Sequence, residues 1–407
     1  MNFKRTRLII IALVFMFIFF FSSDFGLIDV EKTSIITAFA IDKEQNGGYT
    51  VSAQIAVPEA TDTNSENQKA LLTGKGSTIG GAIKDLGDVS GWYPKLSFCN
   101  LIIIGEDFAD TDVISCLDYF AKTLRIQDSA QVTFADGKAS DLLKEASPLD
   151  NISSFAIQKV LLKASGFDSD IASTDIKSFC SGYYSKDGSS IMPLIKLVPS
   201  DEKQSQSSNS SSQSSGGSSS KGSSSEGQTK TNGKFLFNAK TTALFKKGIK
   251  VGELSEPLTL TYNMLTKAVD GTTFPVDNVE CEYGQDCNFL LRIVSTKRKV
   301  YLTVDNNGPT LNVSLKIYCR IDDQNAPTPD DTFSENKPLP TTLIEKAQNL
   351  IESQINELIE TSIQTECDFL KVKEKLYRYN IKQYSRFKDN VLTAMDKNVK
   401  VIVSGQK

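Results

Sequence analysis

The chain runs to 407 residues with a formal net charge of −4 and no histidine. The missing histidine excludes Ser-His-Asp and Cys-His catalysis, HExxH zinc sites and imidazole proton shuttles. The mildly acidic balance, with no basic cluster interleaved with aromatics, excludes a nucleic-acid surface. At 40% hydrophobic and 23% charged residues the composition is globular, with length enough for two or three cores.

The amino terminus differs from everything after it. Lys4, Arg5 and Arg7 precede a charge-free run from Leu8 to Ser23, mostly Leu, Ile, Val and Phe. A basic flank ahead of an apolar run keeps its own end in the cytoplasm and sends the rest of the chain outward. Leu8 to Ser23, at ~1.5 Å per residue, covers about 24 Å of a ~30 Å hydrocarbon core. Phe25, Gly26, Leu27 and Ile28 bring it near spanning length, with Asp24 close to the interface, where a charge costs less. No small-x-small cleavage site follows the apolar core, and no Cys is present there to take a lipid. A retained anchor and a cleaved signal both stay open. A buried core helix does not suit a run that is apolar on all sides.

Ser34–Asp42 reads as a buried strand. Gln45-Asn46-Gly47-Gly48 is a hairpin turn, and Tyr49–Val57 returns from it. Thr61–Lys69 is polar and reads as a loop. Ser77 is placed to cap a helix through Ile79, Ala82, Ile83 and Leu86. Gly74-Lys75-Gly76-Ser77-Thr78 is not a phosphate loop, because Gly76 separates Lys75 from Ser77. Leu96–Ile104 predicts a central strand, Glu106–Leu124 an amphipathic helix, Ser129–Ala135 a strand, and Ser140–Ala146 and Ile152–Ala164 two more helices. Asp175–Tyr184 reads as helix and Ile191–Val198 as strand.

Asp201–Gly233 is a Ser-rich tract that cannot bury apolar area and is expected to be disordered. Thr241–Gly252 then reads as a β-hairpin. Phe289–Ser295, Lys299–Val304 and Leu311–Arg320 predict a meander. In its last strand Leu311, Val313, Leu315 and Ile317 alternate with polar residues, as in a sheet with one wet face. Asp322–Pro340 reads as a loop. Thr341 or Thr342 is placed to cap a long helix whose stripe runs from Leu343 to Ile363. That stripe suits either a partner or, preferably, the half-wet sheet beside it. Asn398–Val403 reads as a closing strand.

Seven cysteines, Cys99, Cys116, Cys180, Cys281, Cys287, Cys319 and Cys367, show no C-x-x-C spacing, which argues against zinc. Cys281 and Cys287 flank a turn-like pentapeptide and could close a small disulfide loop; otherwise the thiols act as small apolar residues. No cofactor site is evident. Glu280, Glu282 and Asp286 form the closest acidic cluster, suited to a carboxylate hydrolase but also to a solvated turn, which is the preferred reading.

Several segments together resemble the Ger(x)C family, the C subunits of spore germinant receptors. They are Ser34–Asp42, Phe98–Glu106 with its Gly105-Glu106 close, Ala243–Gly248 with Val251-Gly252, Cys367-Asp368-Phe369-Leu370, and Val399-Lys400-Val401 with Gly405. The resemblance spans about Asp29 to the end, and order and spacing carry it. Two departures stand out. The family's lipid-bearing Cys is absent around Asp24-Phe25-Gly26, and Asn100 stands where the family often has His.

The resemblance implies a non-catalytic receptor subunit that assembles with membrane-embedded A and B subunits. It implies a place on the outer, extracytoplasmic face of the inner spore membrane, held there by the amino-terminal segment. It also implies that the hairpin near Ala243 packs beside the strand near Ile191, which makes the Ser tract an insertion. The ligand-binding residues are left unknown. The expected architecture is an α+β multi-domain ectodomain of mixed sheets and packed helices behind an N-terminal membrane segment. Its parts are 1–28, a domain over 29–200, the Ser-rich insertion over 201–233, and a domain over 234–407. An extracytoplasmic binding or scaffold protein without a germination role is the alternative.

Overall fold

A computed structural model describes residues 7, 10–17, 33–56, 69–123, 126–145, 147, 150, 152–166, 169–199, 235–280, 286–306, 308–325 and 339–405. The fold is α+β, with two mixed sheets. Residues 10–17 are helical and their apolar side chains lie open, Phe15 at 72% exposed. Among the described residues no helix is long and apolar enough to cross a membrane. Much of Leu8–Ile28, on which the anchor expectation rests, lies outside the described residues.

The first sheet is built from β1 (Thr33–Lys43), β2 (Tyr49–Ala56), β3 (Lys69–Gly76), β4 (Tyr93–Lys95), β5 (Leu101–Ile104), β6 (Gln131–Ala135), β7 (Thr174–Asp175), β8 (Ser189–Pro199), β9 (Phe235–Lys246) and β10 (Ile249–Leu254). Its order is β10-β9-β8-β6-β5-β1-β2-β3, with β4 beside β1 and β7 beside β6. β1, β5, β6 and β8 run parallel in its middle, and antiparallel strands flank them. Alternate residues of the central strands therefore feed two cores. Ile36, Phe39 and Ile41 pack with α1 (Ile79–Ser90), α2 (Ile114–Thr123) and α5 (Ile176–Tyr183). Ala38, Ala40, Leu101 and Ile103 pack with α3 (Ala139–Lys144) and α4 (Ser153–Gly166) on the other face. Burial on both faces explains why β5 is the unbroken run Leu-Ile-Ile-Ile.

The second sheet has the order β11-β12-β13-β14. Its strands are β11 (Thr273–Glu280), β12 (Asp286–Val304), β13 (Pro309–Asn325) and β14 (Asp396–Gly405), the last parallel to β13. α6 (Glu256–Thr266) precedes it. α7 (Thr341–Gln364), α8 (Val372–Tyr379), α9 (Ile381–Phe387) and α10 (Val391–Ala394) fill the crossover to β14. The stripe Leu343, Ala347, Ile351, Ile355, Leu358 and Ile359 of α7 shares one core with Leu311, Val313, Leu315 and Ile317 of β13. The long helix covers the half-wet sheet.

Several local expectations are corrected. Thr78, not Ser77, caps α1: the Gly81 amide donates to Thr78 Oγ1 at 3.0 Å. Pro340 occupies the cap position of α7, and neither Thr341 nor Thr342 caps it. The predicted strand Leu96–Ile104 opens as a 3-10 turn, Leu96–Phe98, and only Leu101–Ile104 extends. The predicted helix Glu106–Leu124 divides into a turn, Glu106–Phe108, and α2, whose Ile114 amide donates to Asp112 Oδ1 at 2.9 Å. Phe289–Ser295 and Lys299–Val304 are one strand: β12 passes through Thr296-Lys297-Arg298 by bulging near Leu290 and Ile293.

The Ser tract joins two neighbours in one sheet. β8 and β9 are antiparallel, and Pro199 is the register partner of Phe235 on either side of it. Cys287 is disulfide-bonded; Cys281, its expected partner, lies outside the described residues. Cys99, Cys116, Cys319 and Cys367 are free buried thiols, each pushed up to about 12 by burial.

Candidate functional site

The residues that carry the resemblance hold structural posts. Asp42, at the end of β1, accepts from the Ala139 amide at Oδ1 (2.7 Å) and the Ser140 amide at Oδ2 (3.0 Å), which ties the first turn of α3 to the sheet. Gly105 follows β5 directly, and a Cβ there would sit 2.4 Å from Asp42 Oδ1, so only glycine leaves the carboxylate its room. Lys247 and Gly248 both have positive φ (48° and 78°), the requirement of a two-residue hairpin turn between β9 and β10. Asn100 is exposed, while its backbone bonds Thr37 and Gln131. The lipid-site position around Asp24 lies outside the described residues.

Where the two sheets meet, a polar junction is buried. Asp187, its side chain 10% exposed, accepts from Lys246 Nζ and Ser189 Oγ, and Lys373 Nζ lies 3.8 Å away. The Asp368 amide donates to Asp187 Oδ2 at 3.1 Å and to Ser189 Oγ at 2.9 Å. The Asp368 carboxylate in turn accepts from the Val372 and Lys373 amides, both at 2.7 Å, and so caps α8. Burial, the largest single influence, raises Asp187, but the bonds from Lys246, Ser189 and the Asp368 amide and the charge of Lys246 together outweigh it and hold the carboxyl below the usual carboxylate range. At Asp368 burial wins over the two amide bonds, and the carboxyl is pushed up to about 6. Cys367 Sγ donates to the Phe245 carbonyl at 3.4 Å beside it.

A cleft of about 620 Å³ opens along the same boundary. Its apolar walls come from α6 (Leu260), β11 (Phe274, Val276), β12 (Leu290) and α7 (Leu350, Ile351). The first sheet contributes Lys240, and the segment before β7 contributes Asp170. Lys240 is bonded to Glu256, in the first turn of α6, and lies 3.6 Å from Asp170. Burial alone would lower Lys240, but the bond to Glu256 and the charge of Asp170 raise it. Asp170 also accepts from Thr272 Oγ1 at 2.6 Å, and Asn263 of α6 donates to the Ile171 carbonyl at 3.1 Å. Gln354, which also lines the cleft, accepts at Oε1 from Thr261 Oγ1 at 2.8 Å. Lys240, Asp170 and Glu256 satisfy one another at the rim, and the mostly apolar walls suit an apolar body.

The acidic cluster is only partly brought together. Glu280 is the register partner of Asp286 across β11 and β12 and is exposed; Glu282 and the Asp286 side chain lie outside the described residues. Among the described residues no group of three or more His, Cys, Asp or Glu could hold a metal ion. Gly74 and Gly76 serve packing: Cβ atoms there would sit 2.2 Å from the Ala82 carbonyl and 2.5 Å from its amide, so they let β3 close on α1. Periodicity could not have found the cleft, because Asp170, Lys240 and Gln354 meet only through the fold.

Comparison with known proteins agrees with this architecture. Residues 27–197 match the family described as the spore germination protein N-terminal domain, and residues 240–404 match the spore germination B3/GerAC-like C-terminal family. The chain belongs to this Ger(x)C family of spore germinant receptor subunits. The crystal structure of the GerBC protein is similar in fold, with a TM-score of 0.50 and 15% identity, over 91% of this chain and 97% of that one. No curated protein matches the chain in sequence.

Proposed function

We propose that the chain serves as a non-catalytic germinant-receptor subunit that works on the outer face of the inner spore membrane with membrane-embedded A and B subunits. The observation that carries this reading is the pair of family matches, which together reach from residue 27 to residue 404. The basic flank and apolar run at the amino terminus support membrane attachment, as does the open apolar helix at residues 10–17. In the absence of a lipid-bearing Cys, Leu8–Ile28 is itself the anchor. Interlocked contacts at the boundary of the sheets suit a subunit that transmits or braces rather than one that turns over substrate.

Co-purification is the test. A tagged full chain drawn from spore membranes is expected to bring the two membrane-embedded subunits with it, and spores lacking the chain are expected to lose a nutrient response. Normal germination with every nutrient, in a strain without redundant receptors, would overturn the reading. The cleft favours a second reading, an extracytoplasmic binding protein without a germination role, which predicts clean purification without those subunits.

A further inference from the structure

We propose that the surface formed by Val89, Trp92, Tyr93 and Phe98 is a bilayer-contact patch that seats the domain against the lipid headgroup region. The proposal rests on the reading of the amino-terminal segment as a membrane anchor. Val89, Trp92, Tyr93 and Phe98 are 76%, 48%, 41% and 51% exposed, an unusual density of large apolar side chains within ten positions. They are open because of the local chain path. Gly91, at φ 70°, ends α1 by donating its amide to the Gly87 carbonyl at 2.9 Å and turns the chain outward into β4.

Where the patch lies decides what covers it. β4 pairs in parallel with the very start of β1: Thr33 with Tyr93, Ser34 with Pro94, Ile35 with Lys95. Thr33 is also where the chain arrives from the apolar segment ending at Ile28. The residues between them, at ~3.3–3.6 Å each, reach at most about 18 Å. Paired strands lie about 4.8 Å apart, so the patch stands beside the point at which the anchor enters the fold. A chain held in the bilayer through Leu8–Ile28 brings this edge to the membrane surface.

The chemistry suits that surface. Trp and Tyr place an apolar body and a polar tip at the headgroup level. Lys95 Nζ lies 5.7 Å from the Phe98 ring centroid, a stem along apolar surface with a cationic head suited to anionic lipid. The nearby acids on α1 are engaged: Asp88 lies 3.6 Å from Lys84, and Asp85 accepts from the Lys75 amide at 2.9 Å.

Trp92 is the chain's single tryptophan, so its native emission reports on the patch alone. The full chain would be reconstituted into phosphatidylcholine–phosphatidylglycerol vesicles, with and without lipids brominated near the headgroup. Co-flotation reads the anchor, and quenching reads the patch. The expected result is flotation with a loss of about half the Trp92 emission on brominated lipid and shielding from acrylamide, as for an interfacial aromatic. The exposed pair of changes Val89→Ser and Phe98→Ser is expected to keep flotation and the melting temperature but to reduce the quenching. Flotation with Trp92 unquenched, or quenching untouched by the double change, overturns the patch and leaves the anchor standing. Failure to float overturns both. Shielding that appears only when the A and B subunits are added overturns lipid as the occupant and makes the patch a protein interface.

Discussion

The two sheets solve burial differently. The middle of the first is covered on both faces, so β1 and β5 send alternate side chains into two separate cores. The second is covered on one face by α7, and β13 alternates buried with half-open positions along most of its length. A residue's worth to stability thus depends on which sheet holds it: every position counts in the first sheet's centre, and only every other one in the second. Between them lies a junction that is neither apolar nor wet, built on Asp187 and Asp368.

The largest effect is expected from the first sheet. Phe39→Ala removes a fully buried ring whose centroid lies 5.5 Å from that of Phe120, and about 3–5 kcal/mol of unfolding free energy should go with it. Tyr301→Ser, on the open face of the second sheet, should cost less than about 0.5 kcal/mol. Urea melts of both variants test the contrast; equal losses would mean that the second sheet's open face is covered.

The next effect belongs to the junction and depends on pH. Asp368 sits at about 6 in the fold against an ordinary value of 3.8, so the folded state holds its proton more tightly than the unfolded one. Its contribution is therefore favourable at low pH and is lost as pH rises from about 4 through about 6, a swing of about 3 kcal/mol. The unfolding free energy of the wild type minus that of Asp368→Asn should fall by this amount from pH ~4 to pH ~7. Asp187, held low, acts oppositely: its contribution is present above 3.8 and is lost as pH falls further. A difference that stays flat across this range would show that the two amide bonds to Asp368 outweigh its burial.

The smallest effect is expected from the Ser tract. Because Pro199 and Phe235 are paired on either side, removing Gln204–Gln228 only shortens a connection between neighbours. Loop-closure entropy changes by about 1 kcal/mol or less, and the melting temperature should shift by no more than a few degrees. A drop of many degrees would show that the tract packs on one of the sheets.

Elements with a strong period or a strong turn were legible from the sequence. The hairpin at Gln45–Gly48, the alternation of β13 and the stripe of α7 all survive in the structure. β3 escaped notice because Gly74 and Gly76, which let α1 approach, interrupt the apolar pattern of its second half. β11 carries Pro275 and a positive-φ Asn278 at its bulge, both of which read as interruption. α6 is rich in threonine, a weak helix former, and its helicity follows from packing against α7. The cleft and the junction were hidden for another reason: each joins residues from distant parts of the chain, as Lys246 does with Asp187 and Lys240 with Asp170. The Asp368 that resembled a family signature was visible, but its capping of α8 was not.

The pairing of β8 with β9 bears on how such chains can be inherited. The two family matches part company at the Ser tract, which makes the chain look divisible there. Yet β9 and β10 lie in the first sheet, and Ala243 and Phe245 complete the core under α2 and α5. An exchange of carboxy-terminal halves between relatives would carry two strands of the first sheet along with the second. A fragment ending at Pro199 would bare the edge of an eleven-residue strand, open to pairing with any passing chain. The halves are bound to vary together, and recombination at the most permissive stretch of the sequence falls on one of the least separable places in the fold.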